Sequence, residues 1–198
     1  MLCASGPERW NRHNGLVNVT TQFLQSAFLH PVKEQGYDNK RPWDVLIPNS
    51  WKGGVAIGLD FAVTYPLQQS NTKLATDFVP GSWATRYAEL HKEHERDPSR
   101  ARGVEFHPMV VETYGAWSPE ATDVLDQVAE QYAIHQGVKP AVARQWLYQA
   151  LSTQLQLYNA AMLVTRNAST PAHELALPEV EEFGAYGEVD VESLPGDS

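Results

Sequence analysis

Two β-rich runs, Trp43 to Pro48 and Val55 to Tyr65, flank the polar, glycine-containing stretch Asn49-Ser50-Trp51-Lys52-Gly53-Gly54. That arrangement is the composition of a hairpin, and it constrains the chain more than any other feature. A hairpin centred near Lys52 pairs Val45 with Leu59 and Ile47 with Ile57. Because side chains alternate across a strand, these four residues, with Phe61 and Val63, form one apolar face. Asp44, Asp60, Ala56, Gly58 and Ala62 fall on the other face, where the two acids oppose each other beside small side chains and open space. A slip of one residue would turn both acids toward the core.

Helical spacing surrounds this hairpin. From Asn14 to Leu29 the apolar residues Leu16, Val19, Phe23, Ala27 and Phe28 recur at three- and four-residue steps, and Pro31 closes the run. Residues 30–41 read as a connection. Trp83 to Arg96 predicts a helix with one apolar face and a highly charged end, and Val104 to Thr113 predicts a strand. Ser118-Pro119-Glu120 carries a capping hydroxyl, a proline at the first helical position and an acid in the first turn. The helix it opens gives way after Gly137 to another that begins at Pro140. Helix, hairpin, helix, strand and two helices predict an α/β sandwich, a small sheet covered by helices.

Charge separates body from tail. Eight of the 24 acids follow Arg166, where no Lys or Arg occurs, leaving 15 basic against 16 acidic residues before it. The body, residues 1–167, is thus close to neutral and neither advertises nor excludes a phosphate backbone as partner. Residues 168–198, acidic and without period, are expected to be a disordered tail. The lone Cys3 excludes an internal disulfide, and no apolar run approaches the roughly 20 residues of a membrane helix. The expectation is an intracellular protein, nuclear or cytoplasmic, with no membrane partner.

Directly opposed like charges destabilise a sheet by roughly 0.2–1 kcal/mol, so the Asp44–Asp60 pair asks for a compensating charge. A hard divalent cation, Mg²⁺ or Mn²⁺, suits them, since it takes oxygen ligands from one or two carboxylates and completes its shell with water and substrate phosphate. By spacing alone, two solvated acids at a hairpin edge is the favoured reading.

A resemblance bears on that choice. Arg41-Pro42-Trp43-Asp44-Val45-Leu46-Ile47-Pro48, followed by Gly58-Leu59-Asp60-Phe61-Ala62-Val63-Thr64, resembles the core that follows the reverse transcriptase domain in many eukaryotic retroelement polyproteins. Arg12-His13-Asn14 is similar to that family's helix start. Phe106 to Gly115, with Trp117 to Ala121, is similar to a later segment. The resemblance implies a restriction-endonuclease-like (PD-(D/E)XK) nuclease fold with a small mixed sheet flanked by helices. It implies Asp44 and Asp60 as catalytic metal ligands and Glu34 as a further acid. It also implies DNA as substrate and other polyprotein domains, such as reverse transcriptase, as partners.

The sequence departs from the pattern at one place. Ala62 stands where the signature lysine belongs, so a substitute must reach in from elsewhere: Lys92 in the charged helix, or Lys52 in the hairpin loop. Glu112, His13 and Asn14 are candidate supports. Glu112 could serve the acidic site or anchor a helix N-terminus, and His13 could contact phosphate while Asn14 caps the first helix. Trp51 could stack on a base or pack on the sheet. Two readings follow: a metal-dependent endonuclease-type domain, or a catalytically inactive nuclease-fold module that binds nucleic acid or serves as scaffold.

Overall fold

A computed structural model describes residues 7–33, 42–66 and 79–168. The acidic segment beyond Ala168 lies outside these residues, as do Cys3 and Glu34. The described chain is mixed α/β, with a four-stranded mixed sheet and five α-helices. In chain order these are α1 (Pro7–Ser26), β1 (Val32–Lys33), β2 (Val45–Ile47), β3 (Ala56–Thr64), α2 (Ser82–His91), α3 (Arg96–Arg100), β4 (Val104–Glu112), α4 (Pro119–Gln136) and α5 (Pro140–Ala168). The strands lie side by side as β1-β2-β3-β4, the first two junctions antiparallel and the last parallel.

The hairpin forms in the register that its alternation requires, with Val45 opposite Leu59 and Ile47 opposite Ile57. Its loop turns on Gly53 and Gly54, at φ of 65° and 85°, a left-handed region that costs glycine nothing. The Ser50 hydroxyl ties the two sides of the loop, donating to Val55 O and accepting from Lys52 N–H.

The odd-numbered face of β2 and β3 is buried to the last atom at Val45, Ile47, Ile57 and Leu59. Met109 and Val111 of β4 extend it. Leu16 and Leu24 of α1, Leu125 and Val128 of α4, and Leu147, Leu151 and Leu155 of α5 close over it as one core. The even-numbered face is covered by α2 and α3. Here the expected open space is a correction: Ala62 packs with Val110 against Ala84 and Ala88 of α2. Gly58 lies under the Trp43 indole, whose Nε1 donates to Ser99 Oγ of α3 at 3.0 Å. Small side chains in a strand admit close approach of a neighbouring element, and that is how they are used.

Four boundaries differ from the sequence reading. α1 begins at Pro7, so His13 and Asn14 stand within the helix and Asn14 is no cap. The helix stops at Ser26 because Phe28 and His30 adopt positive φ. Val32–Lys33, expected within a connection, pairs with β2 as an edge strand. The helix expected over 83–96 breaks at Lys92, whose φ of −123° leaves the helical region, and continues as a 3₁₀ turn (Glu93–Glu95) and α3.

Pro108 sits in the middle of β4, a position proline tolerates only if its missing N–H faces away from the ladder. The outward edge of β4 belongs to the even residues. Val110 O accepts from Ser118 N–H, Glu112 N–H donates to Ala116 O, and Phe106 O accepts from Arg96 Nη1. Pro108 is of the same parity, so no bond to β3 is lost.

A methyl group added at Gly58 would overlap the Trp43 ring. Gly58→Ala is therefore expected to cost roughly 1–3 kcal/mol through overpacking, read from urea unfolding midpoints. Trp43→Leu in the same chain should recover part of that loss. A Gly58→Ala midpoint equal to wild type would refute the contact.

Candidate functional site

Asp44 stands one residue beyond the paired part of β2. Its N–H donates to Leu59 O at 2.9 Å, and its Oδ2 accepts from Phe61 N–H at 2.6 Å. The carboxylate thus takes the place of a backbone acceptor where the strand departs, and its two bonds to β3 bracket Asp60. The two carboxylates feel each other electrostatically, for the Asp44 charge helps raise the Asp60 pKa.

Each acid meets a basic side chain from a different layer. Lys92 Nζ donates to Asp60 Oδ2 at 2.6 Å, with both side chains mostly buried. The break of α2 at Lys92 turns the chain there, and the side chain reaches β3 from the helical layer that seats on Ala62. From the opposite layer, His13 of α1 brings Nε2 to 2.9 Å from Asp44 Oδ2, while its Nδ1 lies 3.2 Å from Asn14 Oδ1. Both ring nitrogens face oxygen acceptors, an arrangement suited to the imidazolium.

Burial pushes the Asp60 carboxyl from its usual 3.8 up to about 6. The charge and hydrogen bond of Lys92 oppose this, Asp44 reinforces it and His13 opposes it. For His13, burial pulls the pKa down. The hydrogen bond and charge of Asp44, then Asn14 and the charge of Asp60, outweigh it, so the net shift is upward from 6.5. The site is therefore a pair of acids flanked by two bases, His13–Asp44–Asp60–Lys92, partly withdrawn from water.

Other candidates lie elsewhere. Glu112 is fully buried, and its Oε1 accepts from Trp83 N–H at 3.1 Å, at the N-terminus of α2. Its register partner is Thr64, so it stands about 13 Å along the sheet from Asp60. Lys52 pairs with Glu105 at 2.6 Å instead of reaching the acids. Trp51 packs on the core and donates from Nε1 to Gln127 Oε1 at 2.7 Å, so its ring is committed to the fold.

Sequence reasoning did not find the pairing of His13 with Asp44, because no short-range pattern links residues on α1 and β2. It also missed a second polar network. There Arg96 grips Glu120 bidentately through Nη1 and Nη2, at 3.2 and 2.6 Å, and His107 Nδ1 lies 2.9 Å from Glu120 Oε1. This network joins α3, β4 and the start of α4.

The donor chemistry of the acid pair fits a hard divalent ion: two carboxylates on neighbouring strand segments, each with Oδ2 engaged by a protein donor. Mg²⁺ requires no more than one or two protein carboxylates. Among the described residues no three His, Cys, Asp or Glu side chains are grouped as a metal site, and no helix is long and apolar enough to cross a membrane. No family model, curated protein or solved structure matches the chain.

The pKa shifts set a pH dependence with a definite sign. Folded Asp60 holds its proton more tightly than the unfolded chain does, so its contribution is most favourable at low pH and declines as pH rises from 3.8 to about 6. His13 stabilises below 6.5 and loses that contribution as pH rises through its higher folded value. Asp60→Asn should flatten the stability profile between about pH 4 and 6, measured by urea unfolding across that range. A profile with the wild-type slope would contradict the assignment.

Proposed function

We propose that the domain is a divalent-metal-dependent phosphodiesterase of the endonuclease type, with Asp44 and Asp60 as metal ligands and DNA as substrate. The observation that carries this reading is the Lys92–Asp60 bond, which puts an ammonium group beside the acid pair although Ala62 occupies the signature lysine position. The order of elements agrees with it: a helix, a mixed sheet bearing the acidic hairpin, and covering helices are what a restriction-endonuclease-like core requires. Four ordered sequence resemblances to the domain that follows reverse transcriptase extend the proposal to a role in retroelement mobility, inside the cell and beside other polyprotein domains.

The chain's own residues have distinct tasks. Asp44 and Asp60 would hold Mg²⁺ or Mn²⁺, which when bound polarises a phosphodiester and lowers the pKa of water. Lys92 would stabilise charge that develops on the phosphoryl oxygens, as a fixed donor in a partly dehydrated site. His13 orients the Asp44 carboxylate, with Asn14 holding the far side of the ring.

One set of observations favours a second reading, a catalytically inactive module that binds nucleic acid or serves as scaffold. Both acids already have basic partners, Lys92 and, when protonated, His13, which offset the like-charge cost without metal.

Nicking of supercoiled plasmid in Mg²⁺ or Mn²⁺ separates the two. Wild type should nick, Asp44→Ala and Asp60→Ala should fall to background, and Lys92→Met should lose roughly 10²–10³-fold in rate. A folded wild type that nicks with neither metal would leave the inactive module as the reading to keep.

A further inference from the structure

Arg12, one residue before His13 on α1, turns toward α5. Its side chain is 5% exposed, and Nη1 donates to Asn159 Oδ1 at 2.9 Å. Asn159 in turn donates from Nδ2 to Thr113 O at 2.8 Å, so one asparagine ties the guanidinium to the residue that follows β4. Arg12 Nε and Thr113 Oγ1 are both fully buried, and among the described residues neither has a hydrogen-bond partner. The charged neighbour that bears on Arg12 is a like one: burial first, and Arg9 second, hold its pKa below the usual value.

Such a corner lacks its complement. Guanidinium stays charged at physiological pH and carries five donors, of which one finds an acceptor among the described residues. A buried cation without a counter-charge is among the most costly arrangements a fold can hold, and a buried hydroxyl without a partner adds to that cost. Asn159 gives its two N–H donors to Thr113 O and Gln156 Oε1, at 2.8 and 3.4 Å, so it has none for the Thr113 hydroxyl, and as a neutral amide it brings no counter-charge to the guanidinium. An anion, which only accepts hydrogen bonds, would complement both groups.

We infer that Arg12, Asn159 and Thr113 form an oxyanion site that takes a phosphate group. A guanidinium fork engages two phosphate oxygens at once, and the remaining oxygens leave an acceptor for the Thr113 hydroxyl. A carboxylate offers two oxygens where phosphate offers four, so phosphate can serve the fork and the hydroxyl with separate oxygens. Arg12, Thr113 and Asn159 are 5%, 2% and 8% exposed, while Tyr114, next in the chain, is 56% exposed. It stands apart from the acid pair, beyond Glu112 at the far end of β4, and does not depend on nuclease activity.

Titration of the folded protein with inorganic phosphate, by calorimetry and thermal unfolding with chloride held at equal ionic strength, tests the assignment. Wild type should release or absorb heat and gain roughly 3–6 °C in Tm at phosphate ten times Kd. Arg12→Met, which removes the uncompensated charge, should fold and lose the response. Thr113→Val should bind about 5- to 10-fold more weakly, and it carries the test should Arg12→Met fail to fold. Absence of phosphate binding in wild type, or an undiminished response in Arg12→Met, overturns the site. Acetate binding as tightly as phosphate overturns the phosphate assignment. Competition by a short DNA duplex would identify the nucleic-acid backbone as the source of the phosphate, and its absence would identify free phosphate; either result upholds the ligand class.

Discussion

The two faces of β3 carry demands that only one arrangement of helices satisfies. Ile57, Leu59 and Phe61 need a deep apolar layer, and α1, α4 and α5 supply it. Gly58 and Ala62 need something to come close, and Trp43 and α2 do so. Apolar burial contributes about 25 cal/mol per Å² removed from water, so both faces must be covered for the strand to hold its place between β2 and β4. The remaining even residue between Gly58 and Ala62 is Asp60, and the coverings of its neighbours leave it at the seam between Trp43 and α2.

The charge arrangement follows from that seam. A long side chain at position 62 would collide with Ala84 and Ala88. An ammonium group can reach Asp60 only from an element that ends beside it, and the end of α2 at Lys92 meets this condition. Asp44 is held from the other direction, by the Phe61 N–H and by His13 on α1. Two layers that otherwise touch only opposite faces of the sheet therefore meet at its acids, and movement of either layer alters the field at Asp60.

Much of this architecture was legible in the sequence where the physical signal is local. Alternation in Val45–Ile47 and Ala56–Thr64, with two glycines between, specified the hairpin register. Ser118 and Gly137 marked both ends of α4, and both act as its caps. Element ends were less legible where backbone conformation decides them. The start of α1 at Pro7 and the break at Lys92 have no periodic signature, and the two-residue β1 is too short to carry one. Within the site, the place of Asp60 on the even face of β3 was legible from parity, whereas Asp44 lies beyond the paired part of β2, bonded to Leu59 O and Phe61 N–H instead of standing opposite Asp60. The His13 partner was not legible, because a contact between α1 and β2 depends on how the helical layer overhangs the sheet edge.

The sequence by itself determined the hairpin, its register over Val45–Ile47 and the face of β3 that carries Asp60, because a side-chain period of two admits no intermediate choice. Tertiary structure alone decided what those acids meet. The charges of His13 and Lys92, the covering over Gly58 and Ala62, and the buried corner at Arg12 arise where separate elements converge, and such convergence is set by packing between layers, which no local pattern of residues encodes.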